Sequence, residues 1–199
     1  GLLFGIILGR RLSPQEYGMV GMISIFALIA TALQSSGFKN VIANLKEPVH
    51  QDYNAVFWFN IIVGSSLYAI LFFCAPLIAR FYHNAALISL CRYAFLSIVF
   101  SSLGTAQSAY LFRNLKVKQQ AKAGMIAVVT SKLVGVTMAW KGFSYWSLAT
   151  QTLVFVSLNT VFLWYYSPWR PTFNVDFKPI RKMFRFSCKI LATTILTHI

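Results

Sequence analysis

YNAVFWFNIIVGSSLYAILFFCAPLIA, Tyr53 to Ala79, runs for 27 residues without a charged side chain. An amphipathic helix of a soluble protein shows polar residues at every turn. This run shows none of that periodicity, and a membrane helix needs about 20 mostly apolar residues. It reads as a transmembrane span. The rest of the chain agrees: of 199 residues, 57% are hydrophobic and 11% charged, against about 25% charged in a soluble domain. So much apolar surface needs lipid as its solvent.

Further spans follow on both sides. Tyr17 to Phe38 and Gly142 to Trp169 carry no charge, Phe81 to Phe112 carries Arg92, and Ala123 to Trp140 carries Lys132. Gly1 to Gly9 reads as the tail of a first span and the run from about Met183 as the start of a seventh. The chain is therefore expected to be part of a longer membrane protein, with five full spans and two partial ones. The fold class is an all-α membrane protein, a polytopic helical bundle. Residues 1–169 form a transmembrane lobe, 170–182 a cytoplasmic linker and interfacial segment, and 183–199 the entry to the seventh span.

The net charge of +14 could suggest nucleic acid. The cations, however, fall in short clusters between apolar runs, so no nucleic-acid partner is expected. Loops after the second, fourth and sixth spans hold Lys39, Lys46, Arg113, Lys116, Lys118, Lys122, Arg170, Lys178, Arg181, Lys182 and Arg185. The opposite loops hold Arg10, Arg11, Arg80 and Lys141. The basic excess marks the first set as cytoplasmic. TFNVDFKPIRKMFRF, Thr172 to Phe186, reads as an interfacial segment with cations toward headgroups and phenylalanines toward acyl chains.

The turn LGRRLSPQEYGMVGM, Leu8 to Met22, joins the first two spans. Ser13 suits an N-cap, Pro14 a first helical position and Glu16 the closing residue of a capping box. Cys74, Cys91 and Cys188 are widely spaced and form no CxxC or Cys/His cluster, so they read as small buried hydrophobes, with no metal or disulfide.

Five stretches resemble one family. GRRLSPQEYGMVGM resembles the opening signature of the oligosaccharide flippases, the Wzx-type exporters of the MOP superfamily. SSGFKNVIANLKE (Ser35 to Glu47), VFWFNIIVGSSLYAILFFCAPLIARFY (Val56 to Tyr82), QSAYLFRNLKVK (Gln107 to Lys118) and GFSYWSLATQ (Gly142 to Gln151) resemble later parts of it, in order along the chain. Gln34-Ser35-Ser36-Gly37 departs from the family, which often has an acid before that Gly. The resemblance implies the N-terminal lobe of a two-lobe MOP-type transporter of about twelve to fourteen helices. Such a protein moves lipid-diphosphate-linked oligosaccharides across the bacterial cytoplasmic membrane for surface polysaccharide biosynthesis. The partners it implies are that lipid-linked glycan, membrane lipids and other polysaccharide-assembly proteins. It implies no cofactor and no enzymatic activity.

Candidate substrate contacts follow from the cost of intramembrane charge. Lys132 lies ten residues from Lys122 and nine from Lys141, roughly 14 Å from either. Gly135 and Ala139 share its face, which suits close helix packing; a structural hydrogen bond is the plainer role. Arg92 and Lys189 lie nearer their span ends and can snorkel. Arg10 and Arg11 would sit at the outer mouth. Ser97, Ser101, Thr105 and Ser108 form one polar stripe, with Arg92 about 180° away; the stripe suits packing, or the lining of a cavity. Asn60 and Gln151 could bind sugar hydroxyls or a neighbouring helix. His50 and His83 read as solvated loop residues. The acids Glu16, Glu47, Asp52 and Asp176 all fall in expected loops, leaving no intramembrane carboxylate and no enzymatic constellation. The alternatives are a membrane-embedded glycan polymerase or ligase, expected to carry a large extracytoplasmic loop, and a MOP-type small-molecule antiporter, expected to carry intramembrane acids.

Overall fold

The computed structural model describes residues 14–35, 42 and 48–173. Among them the regular structure is helical: α1 (Pro14–Ser35), α2 (His50–Phe81), α3 (Ala86–Arg113), α4 (Val117–Trp140) and α5 (Trp146–Tyr166). The last four, of 32, 28, 24 and 21 residues, are long and apolar enough to cross a membrane. In α1 the apolar stretch is Gln15–Ala30. Large apolar side chains face outward, including Phe73 at 77% exposure, Leu28 at 68% and Leu77 at 63%. In water such faces would drive aggregation; in lipid they are solvated. The protein is a polytopic helical membrane protein.

Local chemistry sets the helix ends. α1 begins at Pro14, the position where a missing N–H costs nothing; its expected N-cap Ser13 lies outside the described residues. Asp52 accepts a hydrogen bond from the Val49 N–H at 2.9 Å, so α2 starts at His50. Glu16 and Asp52 thus stand in first helical turns, not in loops, where a carboxylate complements the positive end of the helix dipole. α4 begins six residues before the expected apolar run, because Lys118 and Lys122 continue the helix beyond it.

Three C-termini close the same way. The N–H groups of Asn84, Lys116 and Phe143 reach back to the carbonyls of Ala79, Leu111 and Met138 at 3.0, 2.9 and 3.1 Å. This is the Schellman pattern, and the residue before each donor has positive φ: His83 53°, Leu115 54° and Gly142 80°. Leu115 is also 86% exposed, so its side chain gives little packing to offset a strain of about 1–2 kcal/mol. Leu115→Gly is expected to raise the melting temperature by about 2–4 °C in a thermal unfolding assay. An unchanged or lower midpoint would contradict that account of the turn.

The helices pack around α3, which meets α2 along one side and α5 along another, while α4 packs mainly on α5. Lipid supplies little drive for helix association, so small residues and interhelical hydrogen bonds carry it. On α4 the buried positions include Ala123, Ala127, Ser131, Gly135 and Ala139, one every four residues. A Cβ on Gly135 would stand 2.6 Å from Gln151 Oε1 and 3.1 Å from Gln151 Cβ on α5, so any larger residue here requires Gln151 or the helix to shift. Between α3 and α5, Thr160 Oγ1 donates to the Phe100 carbonyl at 3.0 Å and Trp164 Nε1 to the Leu103 carbonyl at 2.9 Å.

After α5 the chain turns back over the start of α2. Trp169 is 6% exposed, and its ring lies 5.6–6.0 Å from those of His50, Tyr53 and Phe57. Its Nε1 donates to His50 Nδ1 at 3.1 Å. An indole N–H can only donate, so the proton of the neutral His50 ring sits on Nε2, 3.3 Å from Thr172 Oγ1. The Thr172 N–H donates to Asn54 Oδ1, and Trp58 Nε1 donates to the Thr172 carbonyl, both at 2.9 Å. His50 is therefore a latch residue on α2 and not a loop residue. Of the first residues of the expected linker, Thr172 and Phe173 are held by α2, and Arg170 reaches back to the Ser167 and Trp169 carbonyls. The rest of the expected interfacial segment, and the expected seventh span, lie outside the described residues.

Candidate functional site

Beside the Thr160 and Trp164 contacts, α3 and α5 diverge and leave a cleft of about 270 Å³. Ser101, Thr105 and Ser108 line it from α3, and Phe155, Asn159 and Thr160 from α5. Gly104 allows the approach at its floor: a Cβ there would meet Thr160 Oγ1 at 3.0 Å. The stripe read in the sequence therefore divides. Ser101, Thr105 and Ser108 face the cleft. Ser97 donates to the Ala94 carbonyl at 2.7 Å and lines a much smaller space with Ser24 and Thr152, where α1, α3 and α5 meet.

The cleft is uncharged throughout its lining. Ser101 lies twelve residues and Ser108 five from Arg113 at the end of α3, roughly 18 and 8 Å along the axis. The cleft thus runs from deep in the span toward the basic end of the bundle. Near that end Gln120, from the first turn of α4, donates to Ser108 Oγ at 2.8 Å. Thr105 Oγ1 reaches the Ser101 carbonyl at 3.2 Å. Asn159, half-buried, lines the cleft, and its amide has no hydrogen-bond partner among the described residues.

The two candidate cations among the described residues, Arg92 and Lys132, do not line the cleft. Arg92 is half-buried in the seam between α2 and α3, with its guanidinium 4.2 Å from the centre of the Phe72 ring. That seam is on the far side of α3 from the cleft. Pro76, inside α2, leaves the Phe72 carbonyl without its usual helical donor, and the Arg92 Nε has no hydrogen-bond partner among the described residues. Lys132 is half-buried at the flank of the small-residue face of α4. Because α4 begins at Val117, Lys132 is eight residues, roughly 12 Å, from the Trp140 end and fifteen, roughly 22 Å, from the other. It lies nearer the Trp140 end of its helix than the apolar run implied. Lys189, Arg10 and Arg11 lie outside the described residues.

The in-span amides differ from one another. Asn60 Nδ2 donates to the Val56 carbonyl of its own helix at 2.9 Å, and its Oδ1 is buried without a partner among the described residues. Gln151 is pressed against Gly135. Both pack against helix neighbours, whereas Asn159 opens on the cleft. Sequence reasoning passed over Asn159 and Phe155. The available signal was an amide inside the uncharged run Gly142 to Trp169, the same signal that singled out Gln151.

Among the described residues there is no cluster of His, Cys, Asp or Glu able to hold a metal ion. Cys91 is buried, Cys74 half-buried, and both are free; Cys188 lies outside the described residues.

Comparisons with known proteins bear on this arrangement. Residues 7–199 match the family described as polysaccharide biosynthesis protein. The succinoglycan biosynthesis transport protein ExoT of Rhizobium meliloti is 24% identical over 97% of this chain and 39% of its own length. The lipopolysaccharide biosynthesis protein WzxC of Escherichia coli is 23% identical over 100% of the chain and 41% of its own length. The teichuronic acid biosynthesis protein TuaB of Bacillus subtilis is 21% identical over 97% and 40%. The chain thus spans about two-fifths of the length of these relatives. No solved structure matches it.

Proposed function

The chain belongs to the polysaccharide biosynthesis protein family, and from that membership we propose that it serves in a flippase for lipid-diphosphate-linked oligosaccharides. The protein would work in the bacterial cytoplasmic membrane by alternating access, and this chain would form the N-terminal lobe. The observation that carries the reading is the α3–α5 cleft, an uncharged space between two membrane-length helices whose lining sets the hydroxyls of Ser101, Thr105, Ser108 and Thr160 and the Asn159 amide beside apolar side chains. A glycan headgroup crossing a bilayer must exchange its water for such groups, because each polar group left unpaired in hydrocarbon costs several kcal/mol. The lipid tail needs no site, since it stays in lipid. Cations for the diphosphate would come from the basic end of the bundle and from Lys132. Among the described residues, Glu16 and Asp52 stand only in first turns, which favours a flippase over an acid-dependent antiporter.

The test is complementation. Expressed from its complete reading frame, the protein is expected to restore surface polysaccharide to a flippase-deficient strain with a matching glycan pathway. Failure in every matching pathway, with no lipid-linked intermediate accumulating in its absence, would overturn the proposal. In the same assay Lys132→Ala is expected to lower export roughly tenfold at unchanged protein level. That is the loss anticipated when a hydrogen bond from a charged donor, worth about 1.5–3 kcal/mol, is removed. Full export by Lys132→Ala would remove the residue from the substrate path.

A further inference from the structure

We propose that the α3–α5 cleft is a recognition subsite for a single uncharged sugar ring of the transported glycan, with Asn159 as the residue that reads its hydroxyls. The inference rests on the flippase reading above and adds to it a place, a size and a charge class.

Size comes first. Ligand pockets commonly enclose about 300–1,000 Å³; this cleft, at about 270 Å³, falls just below that range. It has room for one ring and not for a repeating unit. Chemistry comes second. A sugar hydroxyl both donates and accepts, so its site needs groups that do both. Asn159 offers a carbonyl oxygen and an NH₂ group, neither engaged among the described residues. Thr160 Oγ1 spends its proton on the Phe100 carbonyl, which leaves its lone pairs to accept. Ser108 Oγ receives the Gln120 proton, which leaves its own hydrogen to donate. Phe155 supplies the apolar surface on which the C–H face of a pyranose packs.

Charge comes third. None of the lining residues is ionic. A uronic acid carboxylate placed here would lose its hydration and gain no cation, a cost that a neutral hexose does not meet. For the same reason the diphosphate binds elsewhere, and the sugar and its anchor are read by different parts of the lobe. Lipid is a poor occupant, because an acyl chain leaves the Asn159 amide unpaired. A neighbouring helix is the competing occupant, and the experiment distinguishes it.

The experiment uses the complete protein in lipid nanodiscs and three probes: polyprenyl diphosphate, polyprenyl diphosphate-glucose and polyprenyl diphosphate-glucuronate. The glucose-bearing lipid is expected to bind about tenfold more tightly than the other two, as one or two added hydrogen bonds imply. Asn159→Leu is expected to erase that advantage while leaving the sugar-free lipid unaffected, and Asn159→Gln to restore part of it. Asn159→Cys, in a background with the native cysteines replaced, is expected to react with a hydrophilic thiol reagent and to be protected by the glucose-bearing lipid alone. Equal binding of all three lipids, or an Asn159→Leu protein that keeps the preference, overturns the subsite and leaves the flippase reading intact. An Asn159→Cys that no hydrophilic reagent reaches shows a helix filling the cleft and likewise overturns it. If none of the three lipids binds, the flippase reading fails and the subsite falls with it.

Discussion

Trp169→Ala is expected to destabilise the protein by about 3–5 kcal/mol, the range for removing a buried aromatic side chain. The indole is 6% exposed and sits among His50, Tyr53 and Phe57. Such ring contacts add to the plain burial of area. Its Nε1 bond to His50 is lost as well, and the segment after α5 then depends on the contacts of Thr172 with His50, Asn54 and Trp58. Two measurements check this. Thermal unfolding in detergent, followed on a fused fluorescent reporter, should show a clearly lowered midpoint. Limited proteolysis should cut between Ser167 and Phe173 faster than in the wild type, where Trp169 and Thr172 tie the segment to α2. Trp169→Phe separates the components: it keeps most of the ring contacts and drops only the hydrogen bond, so its cost should be near 1 kcal/mol. An alanine variant that melts with the wild type would mean that the strap is not anchored at this residue.

Gly135→Leu should break the pairing of α4 with α5. The nearest atom to a new Cβ, Gln151 Oε1 at 2.6 Å, belongs to a flexible side-chain end and can swing aside. Gln151 Cβ, at 3.1 Å, is fixed to the α5 backbone and cannot. A leucine must therefore push the helices apart. Overpacking of this kind costs about 1–3 kcal/mol where a core can adjust. The effect here should reach or pass the top of that range, because α4 has little other packing: it meets α5 chiefly and α3 only lightly. Gly135→Ala, which asks mainly for movement of the Gln151 amide, should cost less. Combining Gly135→Leu with Gln151→Ala should recover part of the loss, as a coupling between contacting residues. Unfolding midpoints of the four proteins decide the matter, and equal midpoints for the Ala and Leu variants would sink the argument.

The legibility of the molecule divides along similar lines. The spans could be read because charge is excluded from lipid: Tyr53 to Ala79 could hardly be anything else. Helix limits were less legible, since a helix continues past the hydrocarbon into the headgroups. That is why α4 takes in Lys118 and Lys122. The separation of Arg92 from the hydroxyl stripe followed from the 100° step of a helix, and the structure places them on opposite sides of α3. Asn159 and Phe155 were not legible as site residues. Nothing local distinguishes an amide that opens on a cleft from one that packs, like Gln151 against Gly135.

By itself, then, the sequence determined that this is a helical membrane protein, that apolar spans lie within four of its helices, and which family it resembles. Each of these depends on composition and local spacing, which the chain carries residue by residue. Only the tertiary structure decided that Ser97 packs while Ser101, Thr105 and Ser108 open on a cleft. It alone showed that His50 and Trp169, more than a hundred residues apart, latch the chain after α5 onto α2. Lipid solvates every apolar face alike, so apolar pattern cannot specify which faces pair. The pairing rests on a few close approaches at glycine and a few hydrogen bonds between distant residues, and those exist only once the helices have met.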